Sequence, residues 1–429
     1  HHKHYPVSLY EPDRVRCAAF SPDGRLLITA GTEQRGLLWD LQTGRRVAIL
    51  PHGPNMCSAD FSPDGRFVLT ASSDYFDGDA RLWWLDSLAD SAPSPPQSAQ
   101  YAKRPTRCAA ISPDSQWIAT GLDDGRAMVW KVGITAKPSA TFTHKTRVTK
   151  IRFDPCPTAD GHRIVTGCND GFVAIWDARK NGPDQKPIVL AGHEEQISEI
   201  LFSADGRRLA TASFDGTARI WDPDTGEKEA LFKVPTPVLS IDLSPDGSLL
   251  AIAGADGIAR IWEVETKRQR GIPLRHERTI NMIRFSPHAG DPRVVTASSD
   301  RTARVWDLES GLPLTEPLRH DGACFVALFS PDGDWVATTG NDLTARVWEV
   351  PKLDLPVPPW FSDWAEEAVG LQLLEDGTTA TLGWERRMQI RDRGAAQAGD
   401  DPYARAIRWF YAPSSERPGS AFRDRAPDE

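Results

Sequence analysis

Residues 192–222, GHEEQISEILFSADGRRLATASFDGTARIWD, decide the fold of this chain. The stretch contains three apolar-rich runs of strand length, at 197–202, 209–213 and 218–221. Asp205-Gly206 follows the first run and Asp215-Gly216 follows the second, and both pairs are turn formers. Short runs of this kind, bounded by glycine-containing turns, predict antiparallel strands connected by tight turns.

The chain repeats this stretch about eight times. The first turn recurs as Ser-Pro-Asp-Gly at residues 21, 62, 244 and 330. An aspartate stands six residues before the closing tryptophan in six copies, whereas the first copy has Glu33 there and the second has Asp74 and a three-residue insertion. This repetition favours one large all-β array over two or three average domains. The closing tryptophans are spaced by 41 to 47 residues, and they are Trp39, Trp83, Trp130, Trp176, Trp221, Trp262, Trp306 and Trp348.

Composition and charge argue against several functions. The chain has 429 residues, 40% of them hydrophobic, which is enough for a sizeable core. Its net charge of −9 disfavours steering toward nucleic acid or an anionic membrane, and no apolar run approaches the roughly 18–20 residues that span a bilayer. The six cysteines form no CxxC pair, so we expect free thiols in a reducing, cytoplasmic compartment. Because the first residue is not Met, we expect a chain that is processed or cut from a longer one.

These motifs resemble those of the WD-repeat β-propeller family. The resemblance rests on the Gly-His start, the Ser-Pro-Asp-Gly turn, the turn aspartate and the closing Trp-Asp, and it covers roughly residues 5–350. It implies an all-β, eight-bladed β-propeller, in which blades of four antiparallel strands surround a channel. A seven-bladed ring and a ninth, decayed repeat are the alternatives. We therefore divide the chain into a propeller at 1–350 and a Pro-rich linker with a C-terminal extension at 351–429.

The same resemblance implies a hydrogen-bond network in each blade. The aspartate should bind a histidine of the preceding loop, the histidine a serine hydroxyl, and the serine the indole N–H. Cys168 and Gly340 replace the serine in two copies, and repeat 6 has residues 234–237 (VPTP) in place of its histidine, so we expect packing alone to hold that blade. The complete sets are those of repeats 5 and 7, namely His193, Ser213, Asp215 and Trp221, and His276, Ser298, Asp300 and Trp306.

The two ends of the chain need separate predictions. Prolines interrupt the segment after Trp348, so we predict that residues 4–9 supply the missing outer strand of the last blade and close the ring. Residues 369–392 could form the ninth repeat; alternatively, the extension is helical at 365–368 and 403–410 and packs on the propeller. The tail resembles the C-terminal extension of bacterial WD-repeat proteins, many of which carry a serine/threonine kinase domain upstream, so an upstream kinase or other effector domain is a further expectation.

No catalytic set is visible in the sequence. Five histidines stand at blade starts, the repeated acidic residues fall in turns for backbone reasons, and no phosphate loop, GxSxG or kinase signature is present. We therefore expect no catalytic residue, no cofactor and no metal site. A recurring arginine two residues before the tryptophan is interpreted as structural, with its stem packed and its charge paired with acidic residues between blades. Its five copies are Arg81, Arg219, Arg260, Arg304 and Arg346.

The functional candidates follow from the geometry of the family, whose members bind partners on the face with the loops that enter the innermost strands and the turn aspartates. Four of the candidates are arginines on repeats 1, 3 and 4. Phe214 and Phe325 are expected to be exposed, and both residue types are enriched at binding hot spots. By position, the face should present Arg14, Arg16, Asn55, Arg107, Asp123, Arg147, Asn169, Gln196, Phe214, Asn281, Phe325 and Asn341.

We expect a non-enzymatic scaffold or sensor module that binds a protein or peptide, as part of a bacterial signalling assembly. The arginines favour an acidic or phosphorylated partner. One alternative is a propeller enzyme with a site in the channel, although the innermost-strand sequences offer few acids and bases. Another is a nucleic-acid binder that uses the arginines, which would show a steep salt dependence.

Overall fold

The computed structural model of this chain describes residues 7–10, 14–85, 97–156, 162–178, 186–350, 371–373 and 379–381. Every regular element in these ranges is a β-strand, and residues 8–348 form one compact unit. Eight antiparallel sheets of four strands each make up the blades of a propeller. The innermost strands of neighbouring blades lie side by side, including those of the last and the first blade, so the ring is closed around a channel.

The first four blades are built from strands numbered in chain order, after β1 (Val7–Tyr10), which belongs to the last blade. Blade 1 has β2 (Val15–Phe20), β3 (Leu26–Gly31), β4 (Arg35–Asp40) and β5 (Arg45–Pro51). Blade 2 has β6 (Met56–Phe61), β7 (Phe67–Ser72), β8 (Ala80–Trp84) and β9 (Ser98–Tyr101). Blade 3 has β10 (Thr106–Ile111), β11 (Trp117–Leu122), β12 (Arg126–Lys131) and β13 (Ala140–Thr143). Blade 4 has β14 (Val148–Phe153), β15 (Arg163–Cys168), β16 (Val173–Asp177) and β17 (Ile188–Val189).

The other four blades continue the same order. Blade 5 has β18 (Ile197–Phe202), β19 (Leu209–Ser213), β20 (Thr217–Trp221) and β21 (Lys228–Lys233). Blade 6 has β22 (Val238–Leu243), β23 (Leu249–Gly254), β24 (Ile258–Glu263) and β25 (Gln269–Arg275). Blade 7 has β26 (Ile280–Phe285), β27 (Arg293–Ser298), β28 (Thr302–Asp307) and β29 (Leu318–Arg319). Blade 8 has β30 (Cys324–Phe329), β31 (Trp335–Gly340) and β32 (Thr344–Glu349), with β1 as its outer strand.

The N-terminal strand closes the ring, as predicted. The order in the last sheet is β1-β32-β31-β30, so β1 covers the edge that β32 would otherwise expose. Leu9 of β1 is buried. At the junction of the first and last blades, Gly24 of blade 1 lies against Pro331 of blade 8, since a β-carbon on Gly24 would be 3.6 Å from the Pro331 ring. The eight-bladed prediction is confirmed, and the seven-bladed alternative is wrong.

The hydrophobic core lies between the blades. Alternating side chains of each sheet pack against the next sheet, because successive residues of a strand point to opposite faces. In one cluster, Ile220 and Phe232 of blade 5 pack against Ile241 and Leu250 of blade 6. Each blade therefore buries its apolar faces only by packing against the two neighbouring blades, and a closed ring gives every blade two such neighbours.

The Ser-Pro-Asp-Gly turns join the first two strands of a blade by side-chain hydrogen bonds. Ser21 Oγ accepts from the backbone N–H of Leu26 at 2.8 Å, and Asp23 accepts from that of Arg25 at 3.0 Å. Gly24 has a φ of +70°, a left-handed conformation that glycine adopts without strain. The recurrence of this motif thus reflects the backbone of the turn.

The C-terminal extension is described only in part. Strands β33 (Leu371–Leu373) and β34 (Thr379–Thr381) form an antiparallel pair. This pair falls within the stretch assigned to the alternative ninth repeat. The two predicted helices and their packing on the propeller lie outside the described residues and stay predictions, as does the division at residue 350.

Candidate interaction face

One side of the ring, here called the upper face, is built by two loops of every blade. One loop precedes the innermost strand, and the other connects the second and third strands. The N–H of the residue before the turn aspartate donates to the carbonyl of the residue before the innermost strand: Asn169 to Arg147 at 3.1 Å, and Phe214 to Gln196 at 2.9 Å. The equivalent bond exists in all eight blades. It holds the two loops together, so the predicted candidates do lie on a common face.

The predicted face residues occupy three distinct positions. A β-bulge falls at the second residue of every innermost strand. Bulges re-aim a side chain at the rim of a sheet, so bulge residues and the residues before the strand form separate rings. Arg16, Arg107, Asn281 and Phe325 are bulge residues; Arg14, Asn55, Arg147 and Gln196 precede the strand; Asp123, Asn169, Phe214 and Asn341 lie in the turn.

Side-chain hydrogen bonds hold Arg107 and Arg147 in place. Arg107 Nε donates to Asp123 Oδ1 at 2.8 Å, and this ion pair neutralises it. Arg147 donates to Asn169 Oδ1 through Nε at 3.0 Å and reaches Gln196 Oε1 at 3.4 Å. Because these partners are neutral amides, they do not compensate the positive charge of Arg147. Arg14 and Arg16 are exposed, and no hydrogen-bond or ion-pair partner of Arg16 exists among the described residues.

The other candidates contribute less exposed surface than expected. Asn281 donates to Ser299 Oγ at 3.0 Å and to the carbonyl of Cys324 in the next blade at 2.7 Å, so it links two blades. Phe214 and Phe325 are partly buried, and the expectation that they are the exposed aromatics of this face was wrong.

The internal network exists, but its hydroxyl is a threonine. Trp221 Nε1 donates to Thr211 Oγ1 at 2.8 Å, and Thr211 Oγ1 lies 2.9 Å from His193 Nε2. His193 Nδ1 lies 2.8 Å from Asp215 Oδ2. The predicted role of Ser213 was wrong: its hydroxyl instead donates to the carbonyl of Glu195 at 2.8 Å and accepts from the N–H of Asp215 at 3.1 Å.

Blade 7 repeats this arrangement. Thr296 Oγ1 accepts from Trp306 Nε1 at 2.8 Å and contacts His276 Nε2 at 2.7 Å, while His276 Nδ1 lies 2.7 Å from Asp300. Ser298 donates to the carbonyl of Thr279 at 3.0 Å and is no part of the chain to the indole. Because threonine carries the network, Cys168 and Gly340 do not interrupt it. In blade 8, His320 contacts both Thr338 and Asp342.

These hydrogen bonds set the ionisation of the turn aspartates. Burial alone would raise the pKa of Asp215, but hydrogen bonds from His193 and Thr217 outweigh it and hold that pKa well below its usual range. The pKa of Asp300 is lowered in the same way by His276 and Thr302, against the effect of burial. Both carboxylates are therefore charged structural groups.

Among the described residues the complete network is limited to blades 5, 7 and 8, and blades 2 and 6 show two ways in which it is lost. In blade 2, the insertion places Asp79 beside His52, with Asp79 Oδ1 and His52 Nε2 3.3 Å apart. Asp74 instead accepts a hydrogen bond from the N–H of Phe76 in the inserted turn. Sequence comparison at a fixed distance from the tryptophan missed Asp79. In blade 6, the threonine is replaced by Ile252, and Trp262 Nε1 has no hydrogen-bond partner among the described residues. This confirms that blade 6 lacks the network.

The recurring arginines are structural, and four of the five lie within 4 Å of an acidic residue of their own blade. Arg260 binds Asp256 at 2.8 Å, and Arg346 binds Asp342 at 3.2 Å. Arg346 also donates to the carbonyl of Arg319 in blade 7 at 2.8 Å. The expected pairing between blades is made to this backbone carbonyl, and Arg346 also lies 3.6 Å from Asp321, an acidic residue of the loop that connects blade 7 to blade 8.

The channel contains a cluster of charges that the sequence reasoning missed. Glu199 is buried, and its carboxylate lies 3.3 Å from Arg284, 3.6 Å from Arg152 and 3.8 Å from Lys150. Burial alone would raise the pKa of Glu199, but these three cations lower it. Burial raises the pKa of Asp242 to about 6, against the charge of Arg284. The sequence did contain a signal for this cluster. Lys150 and Arg152 are two residues apart in β14, so the period of a strand places both cations on the same face.

The described residues include no group of three or more His, Cys, Asp or Glu side chains that could hold a metal ion. Within the same ranges, no helix has the length and apolar character needed to cross a membrane. The six cysteines are free thiols.

A closed eight-bladed propeller, with the complete Asp–His–Thr–Trp network in blades 5, 7 and 8 of the described chain, defines a class of repeat protein. The family model for the WD domain, G-beta repeat (WD40) matches more than half of the chain, so the chain belongs to the WD40 family. The eight matches cover residues 6–40, 44–83, 102–131, 136–177, 185–222, 227–263, 272–307 and 313–349.

Individual relatives match over shorter stretches. Periodic tryptophan protein 2 of Arabidopsis thaliana is 39% identical over 74 residues, which are 17% of this chain and 8% of that protein. Transcription initiation factor TFIID subunit 5 of Caenorhabditis elegans is 28% identical over 37% of this chain and 22% of its own length. Serine-threonine kinase receptor-associated protein of Gallus gallus is 30% identical over 22% of this chain and 25% of its own length. The chain thus spans a quarter or less of these eukaryotic relatives, which give no support to the bacterial kinase-fused resemblance of the tail.

Solved structures match the fold over most of the chain. The crystal structure of Sqt1 from Saccharomyces cerevisiae superposes with a TM-score of 0.68 at 16% identity and covers 80% of this chain and 98% of that one. The computationally designed Ika8 protein gives a TM-score of 0.63 at 19% identity with the same coverages. At these identities the likeness concerns the fold alone.

Proposed function

We propose that this chain is a non-enzymatic interaction platform that binds a protein or peptide on its upper face. One observation carries the proposal. On a chain of net charge −9, Arg16 is exposed without a described partner and Arg147 is held only by neutral amides. Cations that are positioned but not neutralised favour an acidic or phosphorylated segment, because charge-assisted hydrogen bonds are the strong ones. Membership of the WD40 family and similarity to a receptor-associated protein and a TFIID subunit support an interaction role.

The ion pair of Arg107 makes that arginine a poor choice for testing this proposal. Arg107 is paired with Asp123, so reversing its charge would report on that ion pair as well as on a partner. Arg16 and Arg147 are the better choice. The free thiols fit action in a reducing compartment such as the cytoplasm. A bacterial signalling assembly and an upstream kinase or effector domain stay predictions.

The experiment is affinity capture with the purified chain, followed by mass spectrometry and by titration of each captured protein. We expect Arg16→Glu/Arg147→Glu to weaken binding about tenfold or more with an unchanged melting temperature. The control Arg207→Glu/Lys228→Glu makes the same charge change at exposed positions away from the upper face. Equal binding by both double variants would contradict the proposal. Tight binding of DNA or RNA, with a steep salt dependence, would favour a nucleic-acid binder instead.

A further inference from the structure

The insertion in blade 2 forms an ordered turn at the rim of the upper face. Asp74 accepts hydrogen bonds from the N–H groups of Phe76 at 2.9 Å and Asp77 at 3.0 Å. Gly78 fits only without a side chain, since a β-carbon there would lie 2.2 Å from the Asp74 carbonyl oxygen. Gly53 is likewise pressed against the Asp77 carbonyl, at 2.3 Å from a β-carbon position. Two glycines and a carboxylate thus specify the conformation of this turn.

The turn holds two aromatic side chains out in solvent. Tyr75 is 82% exposed and Phe76 is 89% exposed. Their rings contact each other edge to face, with centroids 5.3 Å apart. Two adjacent large aromatics at this exposure leave apolar area in water that a folded chain ordinarily buries, and such exposure marks interaction sites. The aromatic types are those that dominate binding hot spots.

The insertion changes the hydrogen bonding of the blade that carries it. Asp79, not the residue at the usual position, stands next to His52, and both His52 ring nitrogens lack a hydrogen-bond partner among the described residues. His52 is only 5% exposed. A local departure from the hydrogen bonding of the repeat that still has a defined conformation is expected at a functional site.

His52 lines a pocket of about 270 Å³ between this turn and the outer strand of blade 2. Phe76, Gln100 and Lys103 also line it. Lys103 is exposed, and no acidic partner for it exists among the described residues. Its neighbour Arg104 reaches Asp124 only at 3.9 Å, while Asp124 is bound by Arg126 at 2.5 Å. The pocket therefore offers polar groups of both charges, from Lys103 and Asp77, next to an exposed aromatic pair.

We propose that the blade 2 turn is an anchor for an extended peptide segment of a protein partner, which packs an apolar side chain on Tyr75 and Phe76 and places a neighbouring carboxylate on Lys103. The pocket would take polar atoms of that segment, with the exposed Gln100 as a hydrogen-bonding group. The inference rests on the proposed function, since the turn follows Ser73, whose N–H is bound to the carbonyl of Asn55 on the upper face at 3.2 Å.

The test selects phage-displayed random peptides on the immobilised full chain and measures the enriched peptides by fluorescence polarisation. We expect an apolar residue beside an acidic one among them. Tyr75→Ser/Phe76→Ser and Lys103→Glu should each weaken their binding about tenfold. The matched controls are Ile272→Ser/Leu312→Ser, at exposed apolar side chains elsewhere, and Lys228→Glu. These controls should bind the peptides as the unaltered chain does.

Several results would overturn the anchor. Peptides that depend on Arg16 and Arg147 but not on Tyr75 and Phe76 would refute it and leave the proposed function standing. Failure to enrich any peptide would also refute it, while upper-face capture remains a separate test of the function. Hydroxyl-radical footprinting should oxidise both aromatics readily in the free chain; protection there would mean that another part of this chain or a second copy covers them. Preference of the turn for single-stranded RNA over every peptide would assign it to nucleic acid.

Discussion

The hydroxyl of Thr211 accepts a hydrogen bond from the indole of Trp221 at 2.8 Å, across two neighbouring strands of blade 5. The same hydroxyl lies 2.9 Å from His193 Nε2. Thr211→Val keeps the shape of the side chain but leaves two buried polar groups without a partner. We expect it to lower the free energy of unfolding by about 2–4 kcal/mol, since each orphaned group costs roughly 1–3 kcal/mol.

Urea unfolding measures this loss. Thr143→Val is the matched control, because Thr143 is an exposed strand residue with no described hydrogen bond from its hydroxyl, and its cost should stay within about 0.5 kcal/mol. Equal costs for the two variants would show that the hydroxyl of Thr211 is not the centre of the network.

Blade 6 provides a contrast at the tryptophan itself. Trp262 Nε1 has no described partner, whereas Trp221 Nε1 has Thr211. Trp262→Phe therefore loses packing only, and Trp221→Phe loses packing and a hydrogen bond. We expect the second substitution to be the more destabilising by about 1–2 kcal/mol in urea unfolding. A larger loss for Trp262→Phe would argue against this assignment.

The fold was predictable because its signals are local and repeated. The closing tryptophan recurs eight times and the Ser-Pro-Asp-Gly turn four times, and each copy corroborates the others. The choice of Ser213 over Thr211 was an error of register. Leu209 lies opposite Trp221 on the neighbouring strand, so Thr211 is the diagonal neighbour of Trp221. Ser213 is four residues from Leu209, which is roughly 13 Å along the strand. An indole cannot reach that far.

The site was less predictable than the fold. The upper-face positions could be placed by counting residues, but the exposure of each side chain could not. Phe214 and Phe325, which were expected to be exposed, are partly buried. Tyr75 and Phe76 were overlooked because they lie in the insertion, where the repeat offers no template. Insertions in a repeat are therefore the places to search for function that the repeat itself does not carry.

His52 makes stability depend on pH. Burial lowers its pKa to about 4 from 6.5, although the charge of Asp79 opposes the shift. Between these values the unfolded chain binds a proton that the folded chain does not, so stability falls as pH falls from 6.5 toward 4, by roughly 3 kcal/mol for this residue. His52→Gln should remove this part of the slope, and the exposed control His288→Gln should retain it. Burial also lowers the pKa of His144 and His320, so a residual slope remains.

Nuclear magnetic resonance titration of the imidazole signals checks the assignment directly. The His52 signal should titrate well below those of exposed histidines. An ordinary midpoint for His52 would contradict both the burial of its ring and the explanation of the slope.

Asp242 makes the stability of the fold depend on pH in the direction opposite to that of His52. Burial raises its pKa from 3.8 to about 6, so the folded chain holds a proton that the unfolded chain releases. Its contribution is complete below pH 3.8 and is lost as pH rises through 6. Asp242→Asn keeps an oxygen for the N–H of Phe285, which donates to Asp242 at 2.7 Å, but cannot ionise. We expect it to raise stability above pH 7 by about 1–3 kcal/mol and to leave stability at pH 4 nearly unchanged. A loss at pH 7 would mean that the charge of Asp242 is needed by Arg284.

The closure of the ring depends on β1 and can be tested with one side chain. Leu9 is only 1% exposed, so Leu9→Ala removes buried apolar volume from the outer strand of blade 8 and should cost about 2–5 kcal/mol in urea unfolding. Leu312→Ala is the control, because Leu312 is 63% exposed and its truncation should cost little. Hydrogen exchange locates the effect: the amides of β32 should exchange faster in Leu9→Ala, and those of β10 to β13 in blade 3 should not. Deletion of residues 1–9 should produce the same pattern more strongly, because β32 then becomes an open edge. Unchanged exchange in β32 after that deletion would show that β1 does not close the ring.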